Sequence, residues 1–539
     1  MRVLAAVGVA LVFAAPAQGA RYAVGLAHGA DADAVAARLD GRVTREHLAL
    51  GALTVTADRA PARVAGVAWV ERLDDSRRLA FTPADPLYPR QWYLEHVRAF
   101  ASWAEPPPLA GPLVAVIDSG IDAEHPEFRD RIAAARSFVG GRATTDQQGH
   151  GTFVAGVIAA LHDAKGTAGI AFGSKLLVGK VVRSDGTVAL EAEVAAVRWA
   201  VDSGARVINL SLGGVRDPLN PERDTFSPLE AAAVEYAVER GVVVVAAVGN
   251  ADQAPSRPWP FASYPAALPH VVGVSALARD GSVPDFSDRD RIFNDLAAPG
   301  QEIVSTYPRA LSKPGCVPAG YSDCGPEDYR HAEGTSFAAP QVSGAAALLL
   351  SVNPALTPDQ VSYLLTRSAV DANAASGCRE CPLGRDHLAG WGRLDVTAAI
   401  AQATAGRIPP ADRLEANDDA GGQARTLYGP RGGRVVATID FWDDQSDVYR
   451  VFLRPGQRLY ASLTGRAGTK LSLWRPGTTT VEGLSLRVQR QRIMHSRTRG
   501  TQERLAFTAP RKRARGWYYV QVKLGVPGTG PYTLAYAKR

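Results

Sequence analysis

The chain has 539 residues, 46% hydrophobic and 21% charged, which excludes a disordered or fibrous chain and supplies apolar material for more than one core. Four cysteines in that length exclude a disulfide-dense mini-scaffold. The net charge of +6 is uneven, since residues 411–539 hold 23 Lys+Arg against 10 Asp+Glu and the rest 37 against 44. Arg outnumbers Lys 52 to 8 in a chain rich in Ala and Gly, a mark of base composition, so nucleic acid is not an expected partner.

Met1–Ala20 begins with Arg2, runs apolar from Val3 to Ala15 and ends in small residues, with Ala15-Pro16-Ala17 and Ala17-Gln18-Gly19 both fitting a cleavage site. It reads as a signal peptide, the alternative being a buried N-terminal strand, and predicts a secreted chain, extracellular or periplasmic. No later apolar run reaches the ~18 residues of a membrane span; Val342–Leu350 comes nearest. In an oxidising compartment Cys316 is expected to pair with Cys324 and Cys378 with Cys381, with a four-cysteine zinc site as the alternative. Arg21–Leu26, Leu53–Ala57 and Val67–Leu73 read as strands. Ala32–Leu39 reads as a helix with Asp31 as N-cap. This small α+β unit ends at the turn-rich Asp85-Pro86-Leu87-Tyr88-Pro89.

From Leu113 to Thr404 short apolar runs alternate with helical stretches. Val114–Ile117, Leu176–Val182, Val207–Leu210, Val242–Ala247 and Val271–Val274 read as buried strands; Glu191–Val201, Leu229–Arg240 and Ser336–Ser351 read as helices. The fold class is α/β: a mostly parallel sheet flanked by helices, whose functional groups belong at the carboxyl ends of its strands. Ile408-Pro409-Pro410 marks a linker. Val435–Ile439, Val448–Leu453, Leu459–Leu463, Leu471–Trp474, Tyr518–Val522 and Tyr532–Tyr536 then predict an all-β sandwich.

Three glycine-flanked segments carry reactive side chains. The strand Val114–Ile117 delivers Asp118, Gly149-His150-Gly151-Thr152 puts an imidazole at a helix start, and Gly334-Thr335-Ser336 opens a second helix that places Pro340 in its first turn. A serine nucleophile needs a base within reach, an orienter behind that base and donors for the oxyanion. Asn250, beyond Val242–Ala247, offers such a donor, as do the N–H groups at the start of the Ser336 helix. Singly, each residue has a plain structural use: Asp118 a turn cap, His150 a core histidine, Ser336 an N-cap, Asn250 a turn residue. Together, in this order and at these element ends, they point to acyl-transfer chemistry.

At these residues the chain resembles the subtilisin family of serine proteases, the subtilases. Ala115-Val-Ile-Asp-Ser-Gly-Ile-Asp122 is similar to its aspartate motif, Gly149-His-Gly-Thr-Phe-Val-Ala-Gly156 to its histidine motif and Gly334-Thr-Ser-Phe-Ala-Ala-Pro340 to its serine motif. Ser211-Leu-Gly-Gly214 resembles the substrate-strand segment and Ala246-Ala-Val-Gly-Asn250 the oxyanion segment. The order Asp, His, Ser is that of subtilisin. The resemblance implies that Ser336 attacks the scissile carbonyl, His150 carries the proton, Asp118 orients and stabilises His150, Asn250 and the Ser336 N–H hold the oxyanion, and Ser211, Leu212, Gly213 and Gly214 pair with an extended polypeptide substrate. Phe153 stands where the family often has a second histidine, Phe172 where proline is frequent, and Val248 where alanine or glycine is usual, so Val248 is expected to narrow the P1 pocket.

The flanks resemble known companions of such enzymes. Residues 21–84 resemble an inhibitor-like propeptide that the enzyme cuts from itself, the alternative being a permanent N-terminal domain; residues 85–407 are expected to form the catalytic domain, and residues 411–539 resemble the pre-peptidase C-terminal β-sandwich. No cofactor is expected for the chemistry. Such enzymes often bind structural calcium, and Asp418, Asp419, Asp440, Asp443, Asp444 and Asp447 are a candidate site for it, or else ordinary turn and surface aspartates. Arg487–Arg515, with ten basic residues and one acid, is a candidate contact for an anionic surface, or else a solvated basic face. The expectation is a monomeric, broadly specific secreted serine endopeptidase with an apolar P1 preference. The rival readings are a non-catalytic adhesin or pseudoprotease, an acyl hydrolase of non-peptide esters, and a processing enzyme that cuts after basic residues.

Overall fold

The computed structural model describes residues 20–62, 64–73, 81–103, 105–107, 110–251, 254–311, 321–323, 328–412, 414–442, 444–481, 486–496, 500–511 and 516–539. The signal-peptide reading, the Cys316–Cys324 pair and Asp443 lie outside the described residues. The chain divides into two compact units, Met1–Leu79 and Ala80–Arg539.

In the first unit Ala20–Leu26 runs antiparallel between Ala52–Ala57 and Val67–Leu73, and Arg42–His47 pairs with the outer edge of Ala52–Ala57. Asp31 caps the helix Ala32–Ala36, its Oδ1 accepting from the N–H groups of Asp33 (2.9 Å) and Ala34 (3.2 Å). Val24, Val35, Leu39, Leu53 and Val55 form the core. Among the described strands of this unit the patterning missed Arg42–His47, a charged edge strand that buries nothing fully and so shows no alternation.

The second unit is built on a seven-stranded parallel sheet. In spatial order its strands are Leu296–Pro299, Val271–Leu277, Val243–Ala247, Val207–Leu210, Leu113–Asp118, Lys175–Lys180 and Ile132–Ser137. Alternate residues serve opposite faces. Val114, Val116, Val243 and Val245 pack with the helix Thr335–Val352, while Ala115, Ile117, Val244 and Ala246 pack with the helices Leu190–Asp202 and Pro228–Val238. Burial on both faces is why these strands read as unbroken apolar runs. The edge strands Ile132–Ser137 and Leu296–Pro299 escape that signature: one is largely exposed on both faces, the other is short and ends on proline.

Thr335–Val352 is apolar and long enough to cross a membrane, yet 83% of it is buried, so it is a core helix here. One expectation about it is corrected. The helix starts at Thr335, which puts Pro340 in the second turn, not the first. The helices Pro358–Arg367 and Val396–Thr404, not predicted, add to the same face. Phe172 packs in an aromatic cluster with Phe81, Phe100 and His162.

Beyond the linker two sheets pack face to face. One holds Arg425–Thr426, Ser446–Leu453, Gly516–Leu524, Thr469–Trp474 and Arg492–His495; the other holds Gly432–Asp440, Thr529–Lys538, Arg458–Thr464 and Gln502–Thr508. They are antiparallel apart from the short first strand, and share a core of Tyr449, Val451, Leu459, Leu463, Val520 and Leu534. A disulfide joins Cys378 to Cys381.

Candidate active site

From Leu113–Asp118 the chain moves outward through Ile132–Ser137 and Lys175–Lys180, then returns to lay Val207–Leu210 on the other side. Ligands of open α/β sheets sit beyond the carboxyl ends at such a reversal. Asp118 ends one of these two strands and Ser211 follows the other.

The helix His150–Ala159 brings its first residue to that crevice. Gly151 permits the approach, because a Cβ there would collide with the Gly120 carbonyl and lie 3.1 Å from the Asp118 Cβ. His150 Nδ1 lies 2.9 Å from each Asp118 oxygen. Asp118 Oδ1 also accepts from the Ser119 N–H at 2.7 Å. Asp146, which sequence reasoning missed, braces the pair from behind. Its Oδ1 accepts from Ser119 Oγ (2.8 Å) and the Gly149 N–H (2.8 Å), and its Oδ2 from the N–H and hydroxyl of Thr152 at 2.9 and 2.7 Å. Its signal is an Asp shortly before a helix start. Burial pushes the His150 pKa down, but the charge and hydrogen bond of Asp118, with Asp146 beyond, outweigh burial and hold it above 6.5. The Asp118 side chain is 2% exposed and that of His150 31%, so one end of the imidazole stays open.

Ser336 is the second residue of the core helix, and its hydroxyl donates to the Ser211 carbonyl at 3.3 Å. In return Ser211 Oγ donates to the Ser336 carbonyl at 2.7 Å. Pro340 explains the return bond. It stands four residues on and has no N–H, so the Ser336 carbonyl lacks its helical donor, and the Ser211 hydroxyl supplies one. Ser211 is itself oriented by Asn209 Nδ2 (3.0 Å), whose Oδ1 accepts from Ser343 Oγ (2.8 Å). The His150 ring lies 5.4 Å from that of Phe337, which packs at 4.5 Å on Phe153. Phe153 is thus part of an aromatic stack behind the imidazole.

Asn250 follows the strand Val243–Ala247. Its Oδ1 accepts from the Thr335 N–H (3.0 Å) and hydroxyl (3.1 Å). Two donors on one atom decide which way the amide faces and leave its NH₂ to donate. Gly214 exchanges two 2.9 Å backbone bonds with Tyr264. Among the described residues nothing pairs with the backbone of Leu212 or Gly213, which leaves an edge for an added strand. A pocket of about 170 Å³ opens between these pieces, lined by Ser211, Leu212, Gly213, Ala247, Gly249 and Ser336 among others. Gly249 has φ +107°, and a Cβ there would strike Ser263 and Asp288. Val248 does not narrow this pocket as expected. It points into the buried layer against Gly273.

The model of the "Subtilase family" matches residues 110–392. Subtilisin DY of Bacillus licheniformis is 34% identical over 287 residues, 53% of this chain and 89% of the relative. Subtilisin BL of Lederbergia lenta is 34% identical over 309 residues, 57% of this chain and 97% of the relative. This chain belongs to the subtilase family. It is a subtilase-type serine protease, and its α/β fold is that of subtilisin. Fervidolysin from Fervidobacterium pennivorans, a keratinolytic enzyme related to subtilisin, shares the fold with a TM-score of 0.51 at 21% identity, over 92% of this chain and 86% of that one.

The aspartates proposed from the subtilase sequence as a calcium site do not all converge. Asp418 and Asp444 meet, together with Glu415 and His270. Asp440 instead lies 3.4 Å from Arg367, and Asp419 accepts from the N–H of Ala420. Asp447 is bound to Asn417 (2.6 Å) and Tyr532. His270 was missed because its partners Asp359 and Asp418 lie far along the chain from it.

Proposed function

We propose that this subtilase is an exported serine endopeptidase in which Ser336 is the nucleophile, His150 the general base and then acid, and Asp118 the group that holds His150 in its working tautomer. The observation that carries the reading is the symmetric 2.9 Å approach of His150 Nδ1 to both Asp118 oxygens, beside the amino end of the helix that bears Ser336. Ser336 Oγ gives its proton to His150 Nε2 as it attacks the peptide carbonyl. Asn250 and the Ser336 N–H receive the oxyanion, and His150 returns the proton to the leaving amine. Water then frees the acyl-enzyme by the same exchange. Ser211–Gly214 take the substrate as an added strand, which favours broad specificity. No step calls on a cofactor.

Residues 21–84 are the propeptide in this reading, inhibitory until cut by the enzyme itself. Residues 411–539 are an accessory sandwich, whose exposed Arg490, Arg492, Arg504 and Arg511 suit an anionic surface. One observation favours the narrower reading of cleavage after basic residues: Asp288, 1% exposed, stands behind Ser263 at the pocket wall, with Ser263 Oγ 3.5 Å from its Oδ2.

The test is the intact mass of the secreted chain beside Ser336→Ala, with casein as substrate. The expected wild type has lost its first ~80 residues and cuts casein, while the variant keeps them and cuts nothing. Fragment masses report P1: apolar residues support the broad reading, Lys and Arg the narrower one. Equal masses with no casein cleavage by either chain reject both.

A further inference from the structure

Away from the crevice, buried charge collects where the parallel-sheet domain meets the sandwich. His270, 3% exposed, directly precedes the strand Val271–Leu277. Its Nδ1 meets Asp359 Oδ1 at 3.0 Å, in the first turn of Pro358–Arg367. Its Nε2 faces the other domain, with Asp418 Oδ2 at 3.1 Å and Glu415 Oε2 at 3.4 Å. Asp444 completes the group: each of the four residues offers a ligand atom, all within 4.8 Å of one another.

Three carboxylates at this depth stay charged together only beside a cation, and otherwise take up protons. Among the described residues no Lys or Arg side chain pairs with the carboxylates of Glu415, Asp418 or Asp444; the imidazole of His270 is the one basic group beside Glu415 and Asp418. A second observation points the same way. Glu415 Oε1, Asn417 Oδ1, Asp418 Oδ1 and Asp444 Oδ1 are buried without a hydrogen-bond partner, in residues where Asn417, Asp418 and Asp444 are 0%, 3% and 7% exposed. Buried acceptors are satisfied almost everywhere else in proteins.

We propose that His270 Nε2, Glu415, Asp418 and Asp444 bind one divalent metal ion of the zinc type, tying the sandwich to the catalytic domain. The donor set is one imidazole and three carboxylates, which suits zinc better than the all-oxygen shell of six to eight ligands that calcium takes. Asp359 on Nδ1 fixes the ring so that Nε2 points at the site, the usual support of a metal-bound histidine. The 3.1 and 3.4 Å separations around Nε2 match the ~3.3 Å edges of a tetrahedron with bonds of ~2.0 Å.

The test uses the full-length chain carrying Ser336→Ala, so that it cannot digest itself. It is stripped with EDTA and titrated with zinc, and bound metal is counted by mass spectrometry. One equivalent is expected, with a rise in Tm. His270→Gln and Asp444→Asn should weaken binding ~100-fold or more, and Asp359→Asn, acting only through the ring, ~10–100-fold. Less than a tenth of an equivalent on the parent chain overturns the site, and that measurement needs no variant to fold. Zinc held equally by His270→Gln overturns it as well. So does calcium that raises Tm equally in parent and His270→Gln while zinc raises neither.

Discussion

His150 shows how one residue's surroundings set a working pH. Burial disfavours its charged form, and Asp118 with Asp146 more than reverses that, so its pKa lies above 6.5. In the proposed mechanism His150 must be neutral to accept the Ser336 proton. Activity should therefore rise as pH climbs through that raised value, with the midpoint of the acid limb of kcat/KM above pH 6.5. A pH profile on a peptide nitroanilide checks this, and a midpoint below 6 would contradict the assignment. The same shift acts on stability with the opposite sense. The Asp118–His150 attraction is fully present below the unfolded pKa of about 6.5 and is lost as pH rises through the folded one. Asp118, His150, Ser336 and Asn250 were singled out in the sequence because each sits in a short glycine-containing motif, and the structure brings their elements to one crevice. Asp146 was not, since an aspartate before a helix signals a cap and nothing more until its partners are seen.

Between elements, the pairing of the Ser211 segment with the Ser336 helix rests on a missing atom. Pro340 lacks the N–H that would close the helix onto the Ser336 carbonyl, and Ser211 Oγ takes its place at 2.7 Å. Ser211→Ala should cost ~1–3 kcal/mol by stranding that carbonyl. In a Pro340→Ala background, where a backbone N–H returns, the same change should cost less. A double-mutant cycle by urea unfolding, on chains also carrying Ser336→Ala, measures the coupling; a zero coupling would dissolve the link. Sequence patterning found the inner strands of the parallel sheet and the helices on both its faces that run through Glu191–Val201, Leu229–Arg240 and Ser336–Ser351, but it misplaced this proline, which lies past the first turn whether the helix starts at Thr335 or Ser336. It also missed Pro358–Arg367 and Val396–Thr404. Pro358–Arg367 buries one face only and begins at a proline that reads equally well as a turn.

At the scale of the whole second unit, burial raises several carboxyls at once. Burial first, and neighbouring carboxylates after it, push Glu193 well above its ordinary range, while burial raises Glu230 to about 7, where Glu193 holds it by a hydrogen bond; Glu235 rises to about 9 and Asp295 to about 7. Raised carboxyls give stability that is whole below ~4.5 and is lost as pH rises through 7 to 9. The Tm of Ser336→Ala should therefore fall by several degrees between pH 6 and pH 9, and Glu193→Gln should flatten that fall while leaving Tm at pH 5 nearly unchanged. A variant that falls as steeply as its parent would remove this pair as a cause. None of this was visible in the sequence, where Glu193, Glu230 and Glu235 look like ordinary helix-surface acids. The order of the proposed machinery along the chain has one more consequence. Asp118 and His150 leave the ribosome long before Ser336, and Ser336 is positioned by a helix that closes against strands of the parallel sheet made earlier. A nascent or half-folded chain thus holds its acid and base but has no blade, and the capacity to cut arrives last, as a certificate that the sheet beneath it is complete.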